Sequence, residues 1–463
     1  MIALHRRKQK EGFRWLARVD VSRVAVDQAA VFELHDLDRS PSGRVGGTGA
    51  LSCSDTGSNV PVEALCDVPG LLLYSIEMIG GKIMLVFMQV PNVPEVFNAP
   101  FLDRGVRALA EIGSRVYVTR LESVEGLPGF LPVDKLPPRE QSRYSIVWNT
   151  GRCGSTLMHK MMQKIGVLSF SEPYWLDKIT RFSIQGIDGD TIARVFGVCA
   201  AVEVMLARKS FPAYPKAPGS PSTLGSAHAS FNPKGIGFMA MEPIMKSLPH
   251  AKHMLMYRDV REVAESFCSI AVFRLEPSLL NKVLGILPFW GKVQPALLPP
   301  PLSKDGPTFS KGVRQAIESG DIVGPSHPMV CRISTFWMQT LCLWKELREL
   351  GFPKGGRAVA LRMADFTRQD PKVIKTILRL VLGDDVDVGD DAIEVALEAF
   401  KRHSQAGDPM ARSSNSSGDG KKAPFLTPED LREIEELVAA VPALGSPEFV
   451  FPDSLGAPAS AFC

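Results

Sequence analysis

The stretch Tyr144-Ser145-Ile146-Val147-Trp148-Asn149-Thr150-Gly151-Arg152-Cys153-Gly154-Ser155-Thr156-Leu157 decides the fold. Its first five residues form an apolar run that is typical of a buried β-strand, and the turn that follows contains two glycines. From Ser155 onward, apolar residues recur four apart, at Leu157, Met161 and Ile165, which predicts a helix. The segment therefore predicts a strand, a tight turn and a helix.

Strands and helices alternate in the chain that follows. Residues 167–170 are predicted as the next strand, which completes a parallel, right-handed βαβ unit. Further strands are predicted at 236–241, 253–257 and 358–363. Helices are predicted at 260–270, 334–350, 371–382, 391–403 and 428–441, with Thr427 as the N-cap of the last. This alternation predicts an α/β fold built on a parallel sheet flanked by helices.

Residues 1–140 show a different pattern, with short β-type runs at 71–76, 82–90 and 115–121. They are predicted to form a small α+β domain of unknown role. Pro132, Pro137 and Pro138 mark the joint to a second domain over 141–463. Three stretches rich in proline, glycine and serine, at 210–235, 293–306 and 411–422, are predicted as long loops.

Composition excludes several classes of protein. The chain has 463 residues, 45% of them hydrophobic, and a net charge of +3 without strong clustering, which argues against a nucleic-acid partner. No apolar run reaches the length of about 20 residues that spans a membrane. Eight cysteines without a CxxC pair argue against a zinc site and favour reduced thiols. Because no secretory signal is evident, a cytoplasmic location is expected.

The turn over residues 150–154 suits a phosphate, because it aims backbone N–H groups and the positive end of the helix at one point. It is not the nucleotide-triphosphatase loop, since Gly154 stands where that loop carries a lysine before Ser155. The alternative is a glycine turn that leads into a helix and binds nothing.

This turn resembles the 5′-phosphosulfate-binding loop of sulfotransferases that use 3′-phosphoadenosine-5′-phosphosulfate (PAPS), with Arg152 in the place of their basic residue. A second segment is similar to the family as well: Arg258 follows a predicted strand, and Ser266 comes eight residues later on a helix. In the family, an arginine and a serine so spaced hold the 3′-phosphate. The resemblance implies a P-loop-like fold in which Arg258 and Ser266 bind PAPS together with a loop made of Gly151, Arg152, Cys153, Gly154, Ser155, Thr156 and Leu157.

A third segment, Ser171-Glu172-Pro173, resembles carbohydrate and related bacterial-type sulfotransferases, some of which use a glutamate here as general base. Glu172 is then expected at the carboxyl end of the second strand, beside the point where the sheet changes direction. Its alternative is a solvated acid in a turn. Glu172 and Arg152 are the candidate catalytic residues.

Other residues receive structural interpretations. The histidines at 159, 250 and 253 are interpreted as surface or core imidazoles, with His159 on the polar face of its helix. Asp259 and Glu262 fit a capping box. Glu242-Pro243 occupies a predicted strand end where related enzymes often place a basic residue before proline. Residues 357–366 are assigned to the scaffold, and 403–407 either close on the nucleotide or form an ordinary loop.

The resemblance implies transfer of a sulfuryl group from PAPS, without a metal, to a hydroxyl or amine of a carbohydrate or small metabolite. The alternatives are a P-loop kinase that uses ATP and Mg²⁺, and a nucleotide-binding module without catalysis. The sequence carries no readable signal for the acceptor or for the oligomeric state.

Overall fold

Two β-sheets organise the protein. The computed structural model describes residues 24–37, 51–210, 227–268, 309–320, 325–383, 386–401, 425–452 and 454–455. The strands are β1 (Gln28–Leu37), β2 (Leu51–Pro61), β3 (Leu71–Ile79), β4 (Lys82–Gln89), β5 (Arg115–Arg120), β6 (Tyr144–Asn149), β7 (Leu168–Ser171), β8 (Ala229–Asn232), β9 (Lys252–Tyr257), β10 (Ala358–Arg362) and β11 (Ser454–Leu455). The first five form an antiparallel sheet in the order β2-β1-β5-β4-β3, and the other six form a parallel sheet in the order β11-β10-β9-β6-β8-β7.

Helices connect and cover these strands. In the described segments the α-helices are α1 (Val93–Asn98), α2 (Leu102–Leu109), α3 (Leu121–Glu125), α4 (Pro138–Gln141), α5 (Ser155–Lys164), α6 (Tyr174–Ile184), α7 (Gly189–Ser210), α8 (Met241–Ser247), α9 (Val260–Cys268), α10 (Lys311–Glu318), α11 (Pro328–Glu349), α12 (Met363–Thr367), α13 (Pro371–Leu382), α14 (Asp390–Leu397) and α15 (Pro428–Ala439). None of them is long and apolar enough to cross a membrane.

The parallel sheet is buried on both faces. Every residue of β6 and of β9 is buried, as expected when helices cover both sides of a parallel sheet. The predicted α/β fold is confirmed in this form, a six-stranded parallel sheet flanked by helices and accompanied by a separate antiparallel sheet.

The order of the parallel strands locates a crevice. The chain leaves β6, forms β7 at the edge of the sheet, returns as β8 beside β6, and then crosses to β9 on the other side. In open α/β sheets, ligands bind outside the carboxyl ends of the strands at the point where the order reverses. Here that point lies between β6 and β9. β7 is parallel to the rest as predicted, but β8 separates it from β6.

The strand predicted at 236–241 is wrong. Residues Gly235–Ala240 form a 3₁₀-helix that continues into α8. Phe238, Met239 and Met241 are buried, so this segment is a short, continuous apolar run. Periodicity alone cannot assign such a run to a strand or to a helix. Glu242 consequently lies inside a helix, where it pairs with Lys246 at 2.6 Å, and not at a strand end.

Most other elements agree with their predictions. α5 begins at Ser155, α13 has the predicted bounds, and the capping box of Thr427 with Asp430 starts α15. α11 begins six residues before its predicted start, because His327 accepts hydrogen bonds from the first turn. α14 ends at Leu397, and a 3₁₀-helix follows it to Lys401.

The antiparallel sheet packs against helices that cover the parallel one. β3 contacts α6 and α7, and the buried apolar side chains of the antiparallel sheet share one continuous cluster with one face of the parallel sheet, which includes Ile146, Phe170 and Phe231. Val147, Met254 and Leu361 of the parallel sheet belong to a second cluster. The predicted joint near residue 140 falls between β5 and β6. Of the predicted loops, 293–306 and 411–422 lie outside the described residues, as do 211–226 of the first loop and the segment 403–407. The described end of the first loop differs from its prediction, because it contains the strand β8.

Candidate functional site

The loop between β6 and α5 has a left-handed backbone at three residues. The φ angles are 78° at Gly151, 53° at Arg152 and 87° at Gly154, which is the N-cap of α5. Glycine adopts this conformation at little cost, whereas a residue with a Cβ, such as Arg152, adopts it at a cost of about 1–3 kcal/mol. The surrounding structure must therefore hold the loop in place.

Hydrogen bonds and close packing provide this support. The Asn149 side chain accepts from Gly151 N at 2.9 Å and donates to the carbonyl of Pro233 at 2.6 Å. Gly235 lies so close that a Cβ on it would stand 3.1 Å from Gly151 N. A Cβ on Gly151 would in turn meet the Phe267 ring at 3.0 Å. The loop is thus fixed by segments that follow β8 and β9.

The amino end of α5 suits an anion. No side chain caps it, and its first turn contains no acidic residue. Its N–H groups and dipole therefore present a positive end at the crevice. Ser155 is partly exposed there, while Thr156 is buried. Burial raises the pKa of the Cys153 thiol to about 11, so this side chain is a neutral part of the core and offers a ligand only its backbone.

The structure brings Arg152, Ser266 and Arg258 together. Arg152 Nε donates to Ser266 Oγ at 3.0 Å, although the two residues are 114 positions apart. Arg258 Nη1 lies 3.5 Å from the carbonyl oxygen of Arg152. Ser266 is 2% exposed, and the side chain of Arg258 is 17% exposed. The Arg152 guanidinium and the Ser266 hydroxyl therefore meet where β6 and β9 end, and the Arg258 guanidinium lies against the backbone of Arg152.

The acidic residues near Arg258 differ from the predicted capping box. Asp259 accepts from Arg261 N at 2.8 Å and pairs with the Arg261 guanidinium. Glu262 instead accepts from Arg258 Nε at 2.6 Å, and more than half of its side chain is exposed. The charge of Arg258 is thus balanced in part by a residue of the helix that follows it.

Glu172 follows β7 at the same edge of the sheet. Its φ is 50°, and its N–H donates to the carbonyl of Asn232 at 2.8 Å. Because β8 lies between β7 and β6, two strand spacings, or about 10 Å, separate Glu172 from the line of β6. Glu172 therefore stands two strands from the loop, on the side away from β9, and not directly beside it.

The electrostatic surroundings of Glu172 favour its protonated form. Burial raises its pKa to about 7, the positive charges of Lys234 and Arg104 oppose the rise, and Asp177 and Asp103 add to it. A carboxyl group with this pKa is partly ionised at neutral pH and can both take up and release a proton.

Sequence reasoning missed Lys234, which follows β8 after Pro233. Its Nζ lies 3.9 Å from Asp177 Oδ2 and 5.9 Å from the centre of the Tyr174 ring. Burial opposes its charge, but Asp177, Asp103 and Glu172 raise its pKa, so it stays protonated. Because its neighbour Gly235 packs on the loop, Lys234 stands between the loop and Glu172. A lysine directly after a strand end is a signal for this position, but it could not be recognised because β8 itself was not predicted.

Two of the histidines are buried in the core. His159 Nδ1 lies 2.8 Å from Ser169 Oγ, and burial lowers its pKa to about 3. It is not on a polar face as predicted. His253 accepts from Trp148 Nε1 at 3.2 Å, and burial lowers its pKa to about 4. Both rings are neutral. His250 lies in the turn before β9, and its backbone N–H donates to the Gln141 side chain.

A cavity of about 640 Å³ lies elsewhere. Its lining includes Arg143 and Tyr144 at the start of β6 and Ala227 before β8. It therefore lies at the amino ends of the strands, away from the loop. Among the described residues, no group of three or more His, Cys, Asp or Glu side chains is placed to hold a metal.

Comparison of the chain with protein-family models, with curated proteins and with solved structures finds no match in any of the three.

Proposed function

We propose that this protein is a sulfotransferase that moves the sulfuryl group of PAPS to a hydroxyl or amine acceptor, on a P-loop-like arrangement of its parallel sheet. The observation that carries the proposal is the meeting of Arg152, Ser266 and Arg258 at the reversal point of that sheet. An accidental match of two short motifs predicts no such contact between segments so far apart. A binding site for a ligand with two anionic ends accounts for both motifs and for the contact between them.

The loop and α5 hold the 5′-phosphosulfate. Backbone N–H groups of Arg152 to Leu157 and the hydroxyls of Ser155 and Thr156 face its oxygens, while Gly151 shapes the turn, and Arg152 stabilises the charge that grows on the phosphate as the S–O bond breaks. Arg258 and Ser266 hold the 3′-phosphate. This division of work requires positioning and charge stabilisation, without a covalent intermediate or a divalent metal.

Glu172 and Lys234 serve the acceptor end. The acceptor oxygen or nitrogen forms a bond to sulfur, its proton passes to the Glu172 carboxylate, and 3′-phosphoadenosine-5′-phosphate (PAP) leaves. The separation of about 10 Å between the β6 and β7 lines leaves room for the acceptor between loop and base. Lys234, protonated and between the two, balances the negative charge of the sulfuryl oxygens.

Calorimetry with a chelator present tests the donor half of this proposal. PAP and PAPS are expected to bind, and to bind more tightly than ATP with Mg²⁺ measured without chelator. Much tighter binding of ATP with Mg²⁺ would replace the proposal by a kinase. Tight binding of PAPS with no turnover on any acceptor would leave a nucleotide-binding module.

A further inference from the structure

The helix that begins behind Glu172 is held by the antiparallel sheet. The ring of Tyr174, two residues after Glu172, stacks on Tyr74 of β3 with 5.2 Å between ring centres. One turn further along α6, Lys178 forms an ion pair with Glu77 of β3 at 2.5 Å, and both side chains are largely buried. The position of α6, and with it that of Glu172, therefore depends on residues 1–140 of the chain.

A second element of residues 1–140, α2, contacts Tyr74 as well. Tyr74 donates its hydroxyl hydrogen to Asp103 at 3.5 Å, and Asp103 forms a buried ion pair with Arg107 at 2.8 Å. The next residue, Arg104, is partly exposed, with its guanidinium 4.9 Å from the centre of the Phe101 ring. Tyr74 thus joins α2 to the ring that follows Glu172.

Charged groups from three elements act on Glu172. Asp103 and Arg104 come from α2, Asp177 comes from α6, and Lys234 follows β8. Two of these four groups belong to residues 1–140, and they carry opposite charges.

We propose that residues 1–140 are part of the catalytic centre: β3 anchors the helix behind Glu172, Tyr74 joins that helix to α2 through Asp103, and the charges of Asp103 and Arg104 on α2 act on the Glu172 carboxyl group. The term catalytic rests on the proposed function. The arrangement of the charges does not, because it concerns only residues of this chain.

The two charges predict shifts of opposite sign. Arg104 stabilises the carboxylate, so Arg104→Gln should raise the pKa of Glu172. Asp103 destabilises the carboxylate, so Asp103→Asn should lower that pKa. Because the base acts when ionised, the acid limb of the turnover profile should move to higher pH in the first variant and to lower pH in the second.

Infrared difference titration of the carboxyl stretch, comparing each protein with its Glu172→Gln derivative, measures this pKa without any turnover. The expected shift in Arg104→Gln is about 0.3–1 pH unit upward, the size of a partly screened charge interaction. Arg139→Gln is the matched control, because Arg139 is an exposed arginine of α4 and its loss changes the net charge equally. We expect no shift in the control.

Equal midpoints in wild type, Arg104→Gln and Arg139→Gln would overturn the inference. Asp103→Asn removes half of a buried ion pair, so its thermal unfolding is measured first; if it does not fold, the two arginine variants decide. Failure of the proposed function would be seen in a different measurement. Absence of PAPS binding would refute that function, but it would leave the Glu172 titration and its response to Arg104→Gln intact.

Discussion

Arg258 is predicted to determine how the protein distinguishes PAPS from a nucleotide without the 3′-phosphate. A charge-assisted hydrogen bond to phosphate contributes about 1.5–3 kcal/mol. Arg258 is already paired with Glu262, however, and a partly exposed pair of this kind contributes about 0.2–1 kcal/mol, which binding must give up. The net loss in Arg258→Ala is therefore about 0.5–2.8 kcal/mol, or roughly 2- to 110-fold in affinity for PAP.

Glu262→Gln provides the matched test of this arithmetic. It removes the competing carboxylate while Arg258 stays in place, so PAP binding should strengthen by roughly 1.5- to 5-fold. Calorimetry with PAP and with adenosine-5′-phosphosulfate, which lacks the 3′-phosphate, gives the ratio of affinities for each variant. Arg258→Ala should lower that ratio, and Glu262→Gln should raise it. If Arg258→Ala weakened both nucleotides equally, the residue would serve the fold and the assignment of the 3′-phosphate site would be wrong.

Three further predictions follow from the same geometry. Ser266→Ala should weaken PAP binding by roughly 2- to 13-fold, less than the largest loss expected for Arg258→Ala because its hydroxyl is a neutral donor, and calorimetry with both nucleotides checks this. Glu172→Gln should keep nucleotide affinity but lower turnover by about 10²–10⁴, and wild-type turnover should fall about tenfold per pH unit below the Glu172 pKa of about 7; a flat profile would remove Glu172 from the mechanism. Gly154→Ala should cost about 1 kcal/mol of stability in thermal unfolding and weaken PAPS binding. The control is Gly113→Ala, where φ is 88° and nothing lies within 4 Å of the added Cβ; it should cost similar stability and leave PAPS binding unchanged.

The strand, loop and helix around Gly151 were predictable from the sequence because local rules agree there. An apolar run leads into the loop glycines, and the apolar period changes to that of a helix at Ser155. In contrast, β8 has four residues and follows a stretch rich in proline and serine, so no local pattern marks it. The 3₁₀-helix Gly235–Ala240 resembles a strand in the sequence, because packing against the rest of the fold requires apolar side chains at consecutive positions.

The candidate site was predictable in its residues and not in its contacts. Spacing singled out Arg152, Arg258 and Ser266, but only the fold brings Arg152 to Ser266. The pairing of Glu262 with Arg258 depends on the side-chain directions at the start of α9, which a capping pattern does not distinguish. Lys234 depends on β8 and was missed with it.

Mass spectrometry of reactions that contain the protein, PAPS and pooled carbohydrate and small-metabolite acceptors tests the central claim most directly. The account predicts an acceptor whose mass increases by one sulfuryl group in step with PAP formation, and loss of that product in Glu172→Gln. Tight PAPS binding with no sulfated product from any acceptor, or a product that forms equally well with Glu172→Gln, would contradict it.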